Sequence, residues 1–567
     1  MFDVIKKEKN ALLFILLFFL ANLCFFFLKQ GSLTADVGRE FYIPWQMLKG
    51  QLLYKDIFNI YGPLSYQINS MAYAIFGQKI LTLYSLGVLN SFVILNSLYL
   101  ISREFLSKIY SVLIVCFVAY ACVFQVGLFN FNLPYSFAMI YGFSSFLLSV
   151  FCLIKYVKSQ KSTFVVLSCL LCGFSIACKY EYLLFPLFIA YVVFFLVPLE
   201  KKELLKCIAA FLFFPLLSFG SLFIQGVGAQ DFLKTINYLK IMSGTESIKH
   251  LYTYYSGTYF NLKVFLSVIK NFSYLAGLFF ILFSFESFRK SAKTPSLQKF
   301  YTFVFILVTF LVVFFFKLYT GFGFFPMLMF LLTVLFIKII IKEPSEFVLY
   351  ASSIIASFKT FFALNLFVYG IFTLPLLLVA MVVFLLATFA RTNKYESVNN
   401  AVQTSVLFLL AAFVLYFAFV DFNSLKQKSS TLITNKGYIH GAKGTVSTYD
   451  ELIDFVLSET KPQDKVLMLP EAPFINFLTQ RDSDNYYHSL IPLYFDTFGE
   501  DNVIEHFQKN KPEYIVINNR NTADYGHVYM CVDYAFDFCN FVEENYSSVK
   551  IIEGKYKAVI YKRKDLK

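Results

Sequence analysis

Asp36, Arg39 and Glu40 follow almost directly on the first apolar run of the chain. A carboxylate at a membrane edge loses solvation, so it needs either a partner or a task. The spacing of Asp36 and Arg39 suits a local ion pair capping a helix; it equally suits a carboxylate poised to take or orient a proton. Further on, Tyr61-Gly62-Pro63 makes a rigid turn. Lys179 and Glu181 then stand between two apolar runs, in SIACKYEYLLFP. Unpaired in lipid, such charges cost several kcal/mol. They either anchor helix ends by pairing with each other and with headgroups, or they bind an anion. From the residues alone, both readings stay open.

The elements that must position these residues are membrane spans. Of the 567 residues, 58% are hydrophobic, 20% aromatic and only 15% charged, with mean hydropathy +0.64. A soluble chain needs about a quarter charged residues to cover its surface. The apolar residues fall in runs of roughly 17–25, the length that crosses a hydrocarbon core. Hydropathy and flanking charge give about thirteen spans: 11–29, 80–100, 108–126, 136–154, 163–178, 182–198, 207–225, 264–285, 301–316, 324–341, 346–364, 366–390 and 402–420. The expected fold is a polytopic α-helical membrane protein. Its spanning part is 1–421, and a soluble α/β domain over 422–567 follows it.

Lys and Arg set the orientation. After Lys6, Lys7 and Lys9, every second connection is short and basic: Arg103 and Lys108; Lys155, Lys158 and Lys161; Lys201, Lys202 and Lys206. Arg289, Lys290, Lys293 and Lys299 continue the series, then Lys338 and Lys342, then Arg391 and Lys394. These are assigned to the cytoplasm, with the N-terminus. An odd number of spans puts the C-terminal domain outside. The first run is long and lacks a small-residue cleavage site, so it reads as a membrane helix rather than a signal peptide. The net charge of +13 lies largely in the cytoplasmic loops, where it meets anionic lipid and implies no nucleic acid.

Eight of the ten cysteines lie in or beside apolar runs, where a thiol packs as a small hydrophobe. Cys169 and Cys172, though spaced as CxxC, belong to that group. Cys531 and Cys539 fall in the external domain and could pair only if they are not the two ends of one straight helix, since eight residues rise about 12 Å. The five histidines are dispersed without zinc-ligand spacing. In the external domain, Val466–Leu469 and Tyr514–Ile517 read as buried strands. Asn502–Lys509 and Tyr534–Tyr546 read as helices, and Val549–Ile552 with Ala558–Tyr561 as a closing hairpin. No Gly-rich phosphate loop follows a strand, which argues against a nucleotide site.

The most specific stretch is the first external loop, 30–79. Phe41–Lys49 is amphipathic, carries the only tryptophan, Trp45, and suits the bilayer interface. Lys55 and Asp56 then lead to the Tyr61 turn. This loop resembles the first external loop of the GT-C integral-membrane glycosyltransferases, of the dolichyl-phosphate-mannose-protein mannosyltransferase and aminoarabinose-transferase type. The resemblance rests on an acidic residue just after span one, the interfacial helix behind it, the Gly-x-x-x-Tyr-Lys-Asp stretch ending at Asp56, and Tyr61-Gly62-Pro63 before span two. The many-span plan with an outward C-terminal domain extends it over nearly the whole chain.

That resemblance implies an inverting hexosyl- or pentosyltransferase of the bacterial inner membrane. A sugar would pass from a polyprenyl-phosphate donor to an extracytoplasmic acceptor: a lipid such as lipid A of lipopolysaccharide, a cell-envelope glycan, or a protein. Asp36 matches the family's acidic residue, proposed there as catalytic base or acceptor-orienting group. Arg39, Glu40, Tyr61, Lys179 and Glu181 would bind substrate, with Arg39 and Lys179 facing the departing phosphate. No cofactor is expected, and neither external loop, 30–79 nor 226–262, carries an Asp-x-Asp, which argues against a divalent metal. A second external loop, 226–262, with Asp231, Glu246, His250, Tyr252, Tyr254, Tyr255 and Tyr259, is expected to lie on the membrane interface rather than to cover the acceptor. A lipid-sugar flippase or transporter is the alternative, but it calls for mid-membrane polar residues and paired repeats, neither evident here. A polymerase or ligase would carry its largest external loop between late spans.

Overall fold

The computed structural model describes residues 8–256, 294–316, 343–358, 369–392, 396–471, 473–554 and 556–566, with scattered positions between 262 and 284. The expected span 324–341 lies outside the described residues, as do most of 264–285 and part of 346–364.

The helices in chain order are α1 (Lys9–Phe26), α2 (Val37–Leu48), α3 (Leu64–Phe76), α4 (Ile80–Arg103), α5 (Lys108–Val118) and α6 (Phe137–Ser159). Then come α7 (Ser162–Cys178), α8 (Phe185–Tyr191), α9 (Lys201–Ile224), α10 (Ala229–Gly244) and α11 (Glu246–Ser256). The membrane part continues with α12 (Pro295–Phe316), α13 (Pro344–Ala356), α14 (Leu374–Thr392) and α15 (Glu396–Ser424). Among the described residues, six helices are long and apolar enough to cross a membrane, and three shorter apolar segments accompany them. The thirteen expected spans therefore map onto helices wherever residues are described, without fixing their total.

Burial sorts these helices. α6 is covered along nearly its whole length and forms the centre of the bundle, whereas α9 leaves most of its apolar surface bare, as a lipid-facing helix would. Small polar residues tighten the seam between α6 and α7. Ser149 donates to the Ser168 carbonyl at 2.7 Å, Ser145 to the Leu171 carbonyl at 2.8 Å, and Ser175 to the Gly142 carbonyl at 2.8 Å. Such hydrogen bonds let membrane helices approach closely where no hydrophobic effect drives them together. The seam holds the end of α7, and hence Lys179, against the start of α6.

Among the described residues, the expected basic connections with Arg103, with Lys155 and Lys158, and with Arg391 meet at one end of the bundle. There Glu8 pairs with Arg103, Glu104 with Lys155 and Lys158, and Glu346 with Arg391. The Asp36 loop is at the opposite end, beyond the far end of α1.

After α15, which runs three residues past the expected boundary at 421, come a hairpin of β1 (Ser430–Thr434) and β2 (Gly437–Gly441), then α16 (Lys443–Glu459) and β3 (Val466–Leu469). The remainder is α17 (Pro473–Thr479), α18 (Pro492–Phe498), α19 (Glu500–Lys509), β4 (Tyr514–Asn518), α20 (Phe536–Asn545), β5 (Tyr546–Ile552) and β6 (Ala558–Arg563). The sheet order is β3-β4-β6-β5; β3 and β4 run parallel, in register Leu469 to Ile517, and the other pairs antiparallel. The β1–β2 hairpin has no counterpart in the sequence reading. Cys531 and Cys539 form a disulfide with Cα atoms 5.7 Å apart. It forms because α20 begins only at Phe536, so Cys531 lies on a turn instead of the same helix.

One expectation needs correction. α2 does not lie at the lipid boundary with a wet face. Residues Val37 to Gln46 are buried apart from Arg39, and Trp45 is 4% exposed. The C-terminal region covers the side that an interfacial helix would turn to water: Phe41 packs on Phe474 and Phe477, and Tyr42 Oη donates to Asn485 at 2.7 Å. Lys49 and Gln46 both reach Asp482. The contact is close enough at Gly38 that an added Cβ would come within 2.7 Å of the Phe474 backbone nitrogen.

Candidate active site

A cavity of about 380 Å³ lies between the Asp36 loop, the end of α7, helices α10 and α11, and the C-terminal region. Asp36, Arg39, Tyr61, Lys179 and Glu181 all line it. Residues separated by more than a hundred positions in sequence are thus brought to one space.

Asp36 immediately precedes α2, but its side chain makes no capping hydrogen bond. It pairs instead with Arg39, Nη1 to Oδ1 at 2.9 Å, and remains 27% exposed. Of the two structural roles open to it, pairing is realised and capping is not. Arg39 also donates from Nη2 to the Tyr135 carbonyl at 3.0 Å, which ties it to the start of α6. Lys179 is buried, with Nζ 4.0 Å from the Tyr61 ring centre and 3.7 Å from Glu181 Oε1. Arg39 Cζ stands 5.5 Å from the same ring, so Tyr61 offers its faces to two cations. Gly62 makes that placement achievable. Its N–H donates to the Cys178 carbonyl at 3.1 Å, and an added Cβ would sit 2.1 Å from the Ala177 carbonyl oxygen.

Glu40 is placed differently from its neighbours. It is 1% exposed and does not line the cavity. Its Oε2 accepts from the Phe137 N–H at 2.8 Å and its Oε1 from Tyr66 Oη at 2.8 Å. Burial raises this carboxyl above its ordinary value, against the opposing pull of Arg39 and these donors. The geometry makes Glu40 a brace between α2, α3 and α6.

No protein-family model matches this chain, and no curated protein matches it. Solved structures do. The oligosaccharyltransferase of Archaeoglobus fulgidus, solved with zinc and sulfate, aligns over 98% of this chain and 73% of its own, with TM-score 0.50 and 13% identity. It is a GT-C glycosyltransferase. This chain has the GT-C fold. ArnT from Cupriavidus metallidurans, an aminoarabinose transferase solved bound to undecaprenyl phosphate, aligns over 96% of this chain and 97% of its own, with TM-score 0.42 and 10% identity.

In this fold, three features of the cavity escape the sequence reading. The second external loop does not simply lie on the membrane. It folds into α10 and α11, which supply Leu239, Met242, Ser243, Ile248, Leu251 and Tyr252 to the wall. Met242 and Leu251 are buried there and Ser243 is exposed, while Leu233, Ile236 and Ile241 leave an apolar outer face, so the loop walls the cavity and keeps a surface suited to the interface. The opposite wall comes from the C-terminal region, as Glu471, Ser489, Ile491, Leu493, Tyr494 and Tyr525. His250 of α11 and Asp524 join the two walls, Nδ1 lying 3.2 Å from the Asp524 carbonyl.

Glu471 is the third feature. It follows β3 directly, and Arg520 follows the adjacent parallel strand β4, so both emerge at the carboxyl edge of the sheet, where open α/β sheets bind ligands. Arg520 Nε lies 3.0 Å from Glu471 Oε2. An acidic residue at the end of a buried strand was the available signal. Among the described residues, no three His, Cys, Asp or Glu side chains converge as a metal ligand set.

Proposed function

We propose that this chain is a membrane glycosyltransferase. It moves one sugar from a polyprenyl-phosphate-linked donor onto an extracytoplasmic acceptor, with inversion at the anomeric carbon. The observation that carries the proposal is the convergence of the Asp36–Arg39 pair, Lys179 and Tyr61 on one cavity at the non-basic end of the bundle. In the proposed orientation the basic end and the N-terminus face the cytoplasm, while the cavity and residues 422–567 face outward.

Such a reaction asks little covalent chemistry of the protein. An acceptor hydroxyl attacks the anomeric carbon, and the bond from that carbon to the phosphate oxygen breaks. The lipid phosphate leaves with the electron pair. Its developing charge calls for cations already in place, since preorganised charge needs no reorganisation at the moment of transfer. Arg39 and Lys179 answer that need. Asp36 takes or orients the hydroxyl proton, and Tyr61 and Glu181 hold the two cations at the cavity. The acceptor is a lipid, glycan or protein of the cell envelope, and the chemistry requires no cofactor.

The test is mass spectrometry of surface glycans and lipids from cells with the chain, without it, and with Asp36→Asn. One hexose, pentose or aminosugar should be missing without the chain. Asp36→Asn should lower product at least about 100-fold while the protein still inserts and folds. Full product from Asp36→Asn removes Asp36 from the mechanism. Sugar-lipid that redistributes between leaflets without a new glycosidic bond favours a flippase instead.

A further inference from the structure

Asp36 has its Oδ1 engaged by Arg39 Nη1 at 2.9 Å and stands 27% exposed. A second carboxylate shares the cavity. Glu471 is 4% exposed and pairs with Arg520, whose Nε stands 3.0 Å from Oε2. Its Oε2 and the Nη1 of Arg520 are both buried without a hydrogen-bond partner. Breaking up the hydrogen bonding of a buried ion pair in this way is unfavourable, and a hydrophobic pair of similar volume would serve stability as well. Glu471 lines the cavity with its Oε2 unsatisfied, which suits a chemical role.

Resting on the transferase reading above, we propose that Glu471 is the group that takes the acceptor's proton, while Asp36 with Arg39 orients the reacting partners. As the acceptor oxygen bonds to the anomeric carbon, its proton passes to the Glu471 carboxylate. The sugar–phosphate bond breaks, and the lipid phosphate departs with its electrons. Glu471 then returns the proton to water.

The surroundings of Glu471 suit this duty. Arg520 and Asp524 face it from the segment after β4, Asp36 and Arg39 from α2 and its lead. The phenols of Tyr449, Tyr494, Tyr534 and Tyr556 complete the ring of titratable neighbours. Burial pushes the Glu471 carboxyl up to about 7, with Arg520 pulling the other way and Asp36 adding to the rise. A base is most effective when it titrates near the working pH. The C-terminal region thereby becomes part of the catalytic machinery.

The experiment uses membranes from cells producing the full chain, with their own lipid-linked sugars as donor, and reads product by mass spectrometry between pH 5.5 and 8.5. Wild-type transfer should rise through about pH 7 and level off, as Glu471 ionises. Glu471→Gln should lose about 100-fold or more and show no such rise. Glu471→Asp, which keeps a titrating group, should retain a rise at a reduced rate. Arg520→Gln removes the cation that favours the ionised form, so its rise should move to higher pH, with activity low at pH 7 and recovered at 8.5. A rise that persists in Glu471→Gln, or Arg520→Gln activity reduced equally at every pH, overturns the assignment. Absence of product from wild-type membranes instead removes the transferase reading itself, whereas full product from Asp36→Asn removes only the orienting role of Asp36.

Discussion

At the basic end of the bundle, Glu8 accepts from Tyr99 Oη at 2.6 Å and pairs with Arg103 Nη2 at 3.0 Å, with Lys108 Nζ 3.7 Å away. At the other end, Arg520 Nε stands 3.0 Å from Glu471 Oε2, yet that buried oxygen makes no hydrogen bond. The two carboxylates are almost equally covered by protein, yet their titration moves in opposite directions. The Arg103 hydrogen bond holds Glu8 below the ordinary carboxylate value, whereas burial carries Glu471 well above it. Glu104 repeats the Glu8 pattern: burial would raise it, but hydrogen bonds from Lys155 and Lys158 win. Both are covered from solvent, but Glu471 lies far deeper in the protein, whereas Glu8 is met by cationic donors. Carboxylates hydrogen-bonded by cations fasten helix ends together. Charges grouped around a cavity are placed to meet a ligand.

That contrast breaks most visibly at Lys179. Removing its charge by Lys179→Gln should lower transfer about 100-fold, the scale lost with one preorganised donor to a developing anion. Thermal unfolding in detergent should move little, and Lys179→Arg should recover part of the rate. A large drop in unfolding temperature with unchanged transfer per folded molecule would place Lys179 with the fastening charges of the basic end.

How much of this was legible in sequence depended on distance along the chain. Asp36 and Arg39 follow soon after an apolar run, Lys179 and Glu181 stand between two, and Tyr61 opens a rigid turn; all five line the cavity. Glu40 is conspicuous for the same reason, but which way it faces is decided by Phe137 and Tyr66, at contacts that spacing does not reveal. Strands β3 and β4 were readable as short β-branched and apolar runs. Their parallel pairing was not, and it is this pairing that puts Glu471 beside Arg520. The burial of α2 went unread because its cover, Phe474 and Phe477, arrives more than four hundred residues later.

The reverse test addresses the basic end. Glu8→Gln removes a charged acceptor from Tyr99 and Arg103, and hydrogen bonds to charged groups contribute about 1.5–3 kcal/mol. Arg103 and Lys108 are partly exposed, so the lower part of that range applies. Wild-type stability should also fall with acid. A carboxyl whose folded value lies below its unfolded value of about 4.3 contributes fully above that pH and loses its contribution as pH drops through the folded value. Unfolding temperature between pH 7 and 3 should therefore decline less steeply in Glu8→Gln than in the wild type, with transfer per folded molecule equal in both. Equal slopes would detach Glu8 from the stability of this end.

The smallest expected effect is at Tyr61, and it separates two ways in which a cavity can hold cations. The ring lies 4.0 Å from Lys179 Nζ and 5.5 Å from Arg39 Cζ, so its π face, rather than its hydroxyl, meets both charges. Such contacts contribute about 0.5–1 kcal/mol each when partly exposed and more when desolvated. Tyr61→Phe keeps the face and should transfer at near wild-type rate. Tyr61→Leu keeps the bulk but not the quadrupole, leaves both cations less firmly placed, and should lose a few-fold in product. If Phe proves as poor as Leu, the hydroxyl carries the role and the ring is a spacer. The cations would then be positioned by the Asp36 and Glu181 carboxylates and the Tyr135 carbonyl, and the cavity would hold its charges much as the basic end holds Glu8.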